Sequence, residues 1–191
     1  VEGIRLNRSS YNDILNNTAQ WNSKHGISLN ETCVKNFIAH NDASYNGIIG
    51  ISTLESENNS IHHNWVHENA VGICMISIKN HTISNNNIYN NTYGIATYGD
   101  NVRYNHITGN VIENSTEIGL NMSVGSNNMI YGNYFYTNKF HAKPNGNNFW
   151  NDTETGNYWD NYTGYDDDDD GIGDIPYNVS TNPLVKDYLP I

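Results

Sequence analysis

The chain has 191 residues, 37% of them hydrophobic and 15% charged, with a formal charge of −11. That length fits one domain, no apolar run approaches the roughly 18 residues needed to span a bilayer, and no secretory leader opens the chain. Lys and Arg number 9 against 20 Asp and Glu, so no basic patch is available and nucleic acid is excluded as an expected partner.

From the first residues onward the sequence repeats. Asn17, Asn41, Asn64, Asn86, Asn110 and Asn133 each stand three residues after an isoleucine (Ile14, Ile38, Ile61, Ile83, Ile107, Ile130), and successive isoleucines are 24, 23, 22, 24 and 23 residues apart. An earlier polar column, Asn12, Asn36, Asn59, His81, Asn105 and Asn128, precedes each isoleucine by two residues; it is the first within each coil and makes the asparagine column above the second. A third contains Asn22, Asn46, Asn69, Asn91, Ser115 and Asn138. Gly3, Gly26, Gly72, Gly94 and Gly119 open the units, and either Gly47 or Gly50 serves in the third.

Units of this size cannot bury an apolar face alone and must stack on their neighbours. The apolar runs alternate with period two and are too short for helices, so they predict strands. Three short strands and three turns fill about 23 residues, which is one coil of a parallel β-helix rising about 4.8 Å per coil. Asparagine suits the corners because it tolerates left-handed backbone and its amide both donates and accepts, so the columns are expected to form structural ladders. The expected fold is all-β, a solenoid of about six to seven coils. Residues 1–155 hold the repeats, and residues 156–191 form a C-terminal cap within the same structural domain. The chain starts inside the first repeat unit, and a neighbouring domain or subunit is expected to cover that coil.

Within the coils, Cys33 and Cys74 fall in different columns about 9.6 Å apart along the axis, too far for a disulfide, and both thiols are expected to be free. His40 and His63 share a column in adjacent coils and are the best pair for a transition metal, with His62 expected to point away. Six residues after the isoleucines runs an outward column, Gln20, Ser44, His67, Tyr89, Glu113 and Tyr136, flanked by Tyr45, Glu68 and Asn90. Aromatic and polar groups at regular spacing suit a polysaccharide, which makes Tyr45, His67, Tyr89, Asn90, Glu113 and Tyr136 candidate ligand contacts. His67, Glu113 and Glu68 are the candidate catalytic groups. The column after the glycines, Arg5, Ser28, Ser52, Cys74, Ala96 and Asn121, lacks such equipment.

Past Lys139 the period breaks. Asn147-Asn148-Phe149-Trp150-Asn151 resembles a ladder corner with Phe149 in place of isoleucine, only 19 residues after Ile130. A shortened last coil follows, with Trp150, Tyr158 and Trp159 covering the open end of the core. Next comes Asp166 to Asp170, in which Asp166, Asp168, Asp170, Gly171, Ile172 and Asp174 match positions 1, 3, 5, 6, 7 and 9 of a calcium loop; Tyr177 stands at 12, where a bidentate Glu belongs. The expected affinity is about 10⁻⁴ to 10⁻³ M, that of extracellular modules. Such a loop, together with the Asn-X-Ser/Thr triplets, points to an extracellular or cell-surface setting, with a periplasm-like space as the alternative.

The repeated Gly-Ile...Asn-X-Ile-X-X-Asn pattern, closed by Gly156-Asn157-Tyr158-Trp159 and Asp170-Gly171-Ile172-Gly173-Asp174-Ile175-Pro176-Tyr177, resembles the right-handed parallel β-helix proteins of the NosD-like group. That group is described as periplasmic and copper-binding, and shares repeats with carbohydrate-binding and sugar-hydrolysing β-helices, archaeal surface proteins and disaggregatase-like proteins among them. The resemblance implies a right-handed coil and three roles: a surface module that binds carbohydrate or a surface protein and carries structural calcium, a polysaccharide lyase or hydrolase, or a copper-handling accessory module. The residues favour the first.

Overall fold

A computed structural model describes all 191 residues and shows a right-handed parallel β-helix without α-helix. Each coil contributes up to three short strands, and equivalent strands stack into three parallel sheets. The first sheet contains Ile4–Asn7, His25–Asn30, Ile49–Leu54, Val71–Ile76, Tyr93–Tyr98, Ile118–Met122 and Phe140–Lys143. The second is built from Asp13–Leu15, Phe37–Ala39, Ser60–His62, Thr82–Ser84, His106–Thr108 and Met129–Tyr131. The third comprises Trp65–His67, Asn87–Tyr89, Val111–Glu113, Tyr134–Tyr136 and Tyr158–Trp159. A C-terminal antiparallel hairpin, Tyr177–Thr181 with Leu184–Asp187, completes the chain. Ile14, Ile38, Ile61, Ile83, Ile107 and Ile130 form one continuous file in a core of 26 buried residues.

The corners follow a rule that corrects the expectation for asparagine. Left-handed backbone belongs to the residue before each ladder asparagine: φ is +55° at Asn16, +56° at His40, +55° at His63 and +53° at Asn85, while Gly109 and Gly132 continue the column. Tyr11, Lys35, Trp21, Tyr45 and Glu68 do the same at the other corners. For residues with a side chain this conformation costs about 1 to 2 kcal/mol each, and the ladders offset it. In the second ladder each amide donates to the next Oδ1 at 2.9–3.0 Å, from Asn17 through to Asn157. Asn41 shows the full set: its Nδ2 also donates to the Ile14 carbonyl at 2.8 Å, and its Oδ1 accepts the Asn17 backbone N–H at 3.0 Å. Every polar atom of the buried amide is thereby satisfied, which is the condition for burying it.

The third ladder has one defect. Ser115 is too short to continue it, and its Oγ is buried without a partner. Elsewhere the ladder Nδ2 lies against a glycine, as Asn91 does against Gly72 and Asn138 against Gly119; Gly94 leaves the same space beside Ser115. Ser115→Asn is therefore expected to raise unfolding stability by about 1 to 2 kcal/mol through two or three restored bonds. Denaturant titration checks this, and an unchanged midpoint would show that the gap is already filled.

Glycine heads each coil because the next coil's carbonyl occupies the place of a Cβ: at Gly50 it would meet the Gly72 oxygen at 2.8 Å. This identifies Gly50, not Gly47, as the third unit's glycine. In the last coil His141 holds the position, and the side chain is accepted because no further coil stacks there.

The last coil also shifts by one residue from the sequence reading. Asn148, not Asn147, joins the first ladder, accepting from Asn128 at 2.8 Å. That turns Trp150 into the core and leaves Phe149 54% exposed. Trp150 and Trp159 are buried as expected, but Tyr158 lies on the outer face beside Tyr134 and Tyr136. The core closes with a stack of Phe135, Trp159 and Tyr177, centroids 4.5 and 4.4 Å apart. Beside it, Asp187 of the hairpin is fully buried and occupies the next position in the second ladder. Its Oδ2 accepts Asn157 N–H at 2.7 Å, Asn157 Nδ2 at 3.1 Å and Trp159 Nε1 at 3.0 Å. Burial raises its pKa, against the lowering effect of these bonds.

Candidate functional site

Strand pairing of the third sheet aligns Asn87 with Trp65 and Val111, and Tyr89 with His67 and Glu113. These residues alternate with the buried Val66, Ile88 and Ile112, so they face outward. Aromatic rings run along this face. Trp21 stacks on Tyr45 at 4.4 Å, Tyr45 meets His67 edge-on at 5.5 Å, and His67 stacks on Tyr89 at 4.4 Å. Farther along, Tyr134, Tyr136 and Tyr158 form a second group.

Between the two groups lies the coil of Val111 and Glu113, where no aromatic stands. The break opens a cleft of about 380 Å³ lined by Trp65, Asn87, Ile88, Tyr89, Val111 and Glu113. Tyr89 lines this cleft, and the facing sides of His67 and Tyr89 are spent on each other. Burial, and behind it the charge of Asp42, pushes the Tyr89 hydroxyl above its ordinary pKa. Glu113 is held by Asn114 Nδ2 at 3.2 Å, and Glu68 by Asn90 Nδ2 at 3.1 Å. A larger depression of about 690 Å³ lies near the C-terminal tail, lined by Tyr131, Phe149, Asp152, Lys186 and Tyr188 among others. It belongs to the end cap and carries no repeated column.

The candidate catalytic groups form no hydrogen bond or ion pair with one another. His67 Nε2 faces Asp42 Oδ1 at 3.6 Å, and Asp42 is itself bonded by Gln20 at 2.7 Å and Ser44 at 2.6 Å. Glu113 stands two coils from His67, about 9.6 Å on the strand spacing, with Tyr89 between them. The column after the glycines is closed: Ser28, Ser52, Cys74 and Ala96 are buried, and burial pushes the Cys74 thiol up to about 12. Both thiols are free, as expected.

The histidines behave differently from expectation. His40 and His63 stack with centroids 5.3 Å apart, but His62 does not point away: its Nδ1 lies 3.1 Å from His63 Nδ1. Strand alternation fails here because His63 is the left-handed corner residue. Burial, then His63 and His40, lower the pKa of His62.

In the C-terminal loop, Asp166, Asp168 and Asp170 have carboxylate oxygens within 4.8 Å of one another. Asp166 accepts the backbone N–H of Asp170 at 3.2 Å and of Gly171 at 2.9 Å, and Gly171 takes φ +87° at the turn. Asp174 lies outside this group and accepts the Asp167 N–H at 2.7 Å. The Asp168 pKa is raised chiefly by the charge of Asp170, the repulsion a cation would relieve. Hard oxygen donors on a preformed turn fit calcium; Tyr177, at the twelfth position, is committed to the aromatic stack.

The family described as "Periplasmic copper-binding protein (NosD)" matches residues 1–164. The chain belongs to the NosD family. The "Probable ABC transporter binding protein NosD" of Pseudomonas aeruginosa is 38% identical over 85 residues, 43% of this chain and 20% of that protein. A "Cell surface glycoprotein" of Methanothermus fervidus is 36% identical over 97 residues, 47% of this chain and 16% of that protein. The chain thus spans about a fifth or less of these relatives. Among solved structures, the periplasmic alginate epimerase AlgG superposes with a TM-score of 0.66 at 23% identity, over 75% of this chain and 36% of that one. The A-module of the mannuronan C-5 epimerase AlgE4 of Azotobacter vinelandii gives 0.59 at 16% identity, over 82% and 52%. These likenesses show the β-helix fold.

A NosD-family chain of this kind works outside the cytoplasm, at the surface, extracellularly or in the periplasm. Two features of its outer surface escape sequence reasoning. Trp65 belongs to a column of mixed types, Asp42, Trp65, Asn87, Val111 and Tyr134, which carries no recognisable pattern. The His141–Asp160 pair, 2.8 Å apart, joins the glycine column to the third sheet. Burial lowers the His141 pKa against the opposing pull of Asp160.

Proposed function

We propose that this chain is a non-catalytic surface module that binds a glycan at the cleft between Trp65, Tyr89 and Glu113 and carries a structural calcium ion in the loop from Asp166 to Asp174. The observation that carries the reading is the single break in the aromatic face, where ring faces, a carboxylate and the Asn87 amide converge. Sugar rings pack on aromatic faces while their hydroxyls bond to such polar groups. The epimerase folds support a polysaccharide enzyme as the alternative, but His67, Glu68 and Glu113 bond to Asp42, Asn90 and Asn114 and not to one another, which favours binding over catalysis. Trp65→Ala or Tyr89→Ala is expected to weaken glycan binding about tenfold, or about 1.4 kcal/mol. Calorimetry with a panel of soluble oligosaccharides measures this, and affinity indifferent to both substitutions would remove the cleft from consideration.

Calcium at the loop would be held by Asp166, Asp168 and Asp170, with the Ile172 carbonyl and Asp174 completing the set. Copper is a second reading, supported by the His62 and His63 nitrogens: two imidazoles bound at about 2.0 Å with an angle of 90° to 109° stand about 2.8 to 3.3 Å apart. The two metals separate in one experiment. Calcium is expected to raise the melting temperature in the unmodified chain but not in Asp168→Asn, and copper(II) absorption is expected to vanish in His63→Ala alone. No calcium shift, or a copper spectrum unchanged by His63→Ala, would remove the respective site.

A further inference from the structure

The charge of the binding face restricts the chemistry of its ligand. Its two outward columns run from Thr18 to Tyr158 and from Gln20 to Asp160, and the corner column beside them runs from Trp21 to Asn161. Together they contain Asp42, Glu68, Glu113 and Asp160 and no lysine or arginine. Both histidines that meet this face are turned to its own carboxylates, His67 to Asp42 at 3.6 Å and His141 to Asp160 at 2.8 Å. Glu68 and Glu113 are left with only the neutral amides of Asn90 and Asn114. On the adjoining corner Lys139 is already committed, bonding both oxygens of Glu117 at 2.8 and 2.9 Å.

We infer that the glycan bound in this cleft carries no acidic groups, and that a free amino sugar binds more tightly than its uncharged counterpart. This rests on the binding reading above. A polyuronate brings one carboxylate per ring, a spacing close to the coil rise of about 4.8 Å. Several of its charges would then lie within the Debye length of about 8 Å from Glu113 and Glu68, where physiological salt screens them only in part. Without a guanidinium or ammonium to receive them, carboxylates are repelled along the whole face. An ammonium on a sugar ring seated against Tyr89 meets Glu113 directly and gains a charge-assisted hydrogen bond.

The test uses four oligosaccharides of equal length: a glucosamine oligomer, its N-acetylated form, a neutral glucan and a galacturonate oligomer. Each is titrated at low salt and mildly acidic pH into the unmodified chain, Trp65→Ala and Glu113→Gln. The glucosamine oligomer is expected to bind about tenfold more tightly than the N-acetylated one, and the advantage is expected to disappear in Glu113→Gln and on raising the salt. The galacturonate oligomer is expected to show no Trp65-dependent binding. Galacturonate bound as tightly as glucan, and lost in Trp65→Ala, would overturn the charge selection while leaving the cleft a glycan site. Absence of Trp65-dependent binding by all four would overturn the cleft itself.

Discussion

Asp187→Ala is expected to lower unfolding stability by about 2 to 6 kcal/mol. The substitution orphans two buried donors, Asn157 N–H and Trp159 Nε1, whereas Asn157 Nδ2 keeps the Ile130 and Trp150 carbonyls at 3.0 and 2.7 Å. An orphaned buried donor costs about 1 to 3 kcal/mol, and two together account for the range. The loss should concentrate at the C-terminal end, where the hairpin would detach from the Phe135, Trp159 and Tyr177 stack. Asp187→Asn keeps one acceptor oxygen and should lose less, because only the bond from Leu189 N–H to Oδ1 is directly surrendered. Denaturant unfolding of both variants, with tryptophan emission as the probe, measures the difference. If alanine and asparagine proved equally mild, the carboxylate would not be the terminator of the ladder.

The second large effect depends on pH. His81 replaces asparagine in the first ladder and is fully buried. Its Nδ1 lies 3.1 Å from the Lys79 carbonyl, which only accepts, so Nδ1 carries the hydrogen. Nε2 is then the acceptor, 3.1 Å from Asn59 Nδ2 and 3.2 Å from Ser56 Oγ. Desolvation lowers its pKa from 6.5 to about 4. A depressed histidine pKa means that the unfolded chain binds the proton more readily. Its contribution is therefore complete above about pH 6.5 and is lost as the pH falls towards 4. At 1.36 kcal/mol per pH unit the loss reaches about 3 kcal/mol at pH 4. His81→Asn restores an ordinary ladder residue and should remove this slope. Stability curves of the two chains that stayed parallel from pH 7 to pH 4 would refute the neutral-acceptor role.

Much of this architecture is legible in the sequence because each coil repeats the same local solution. The isoleucine file, the three ladders and the free cysteines follow from spacing alone. Reading stops where repetition stops. Asp187 meets Asn157 across 30 residues and has no counterpart in earlier coils. The one-residue shift that buries Trp150 instead of Phe149 depends on which of two adjacent asparagines reaches Asn128, and composition does not distinguish them. The candidate site is legible only in part: Tyr89 and Glu113 are marked by their column, whereas the cleft exists because Val111 and Glu113 supply no ring. Strand alternation predicts that His62 points away from His63, but alternation does not hold next to a left-handed corner.

The ladders run in one direction. Away from His81, Ser115 and the ladder ends, each amide donates towards the C-terminal neighbour and accepts from the N-terminal one, as between Asn41 and Asn64 and again between Asn64 and Asn86. An interior coil therefore hands on the bonding state it receives, so one such unit can be removed or copied without altering the demands on its neighbours. The terminal carboxylate has no such freedom, since it only accepts. Length is thus a tunable property of this scaffold, with Asp187 as the stop that any longer or shorter version must retain.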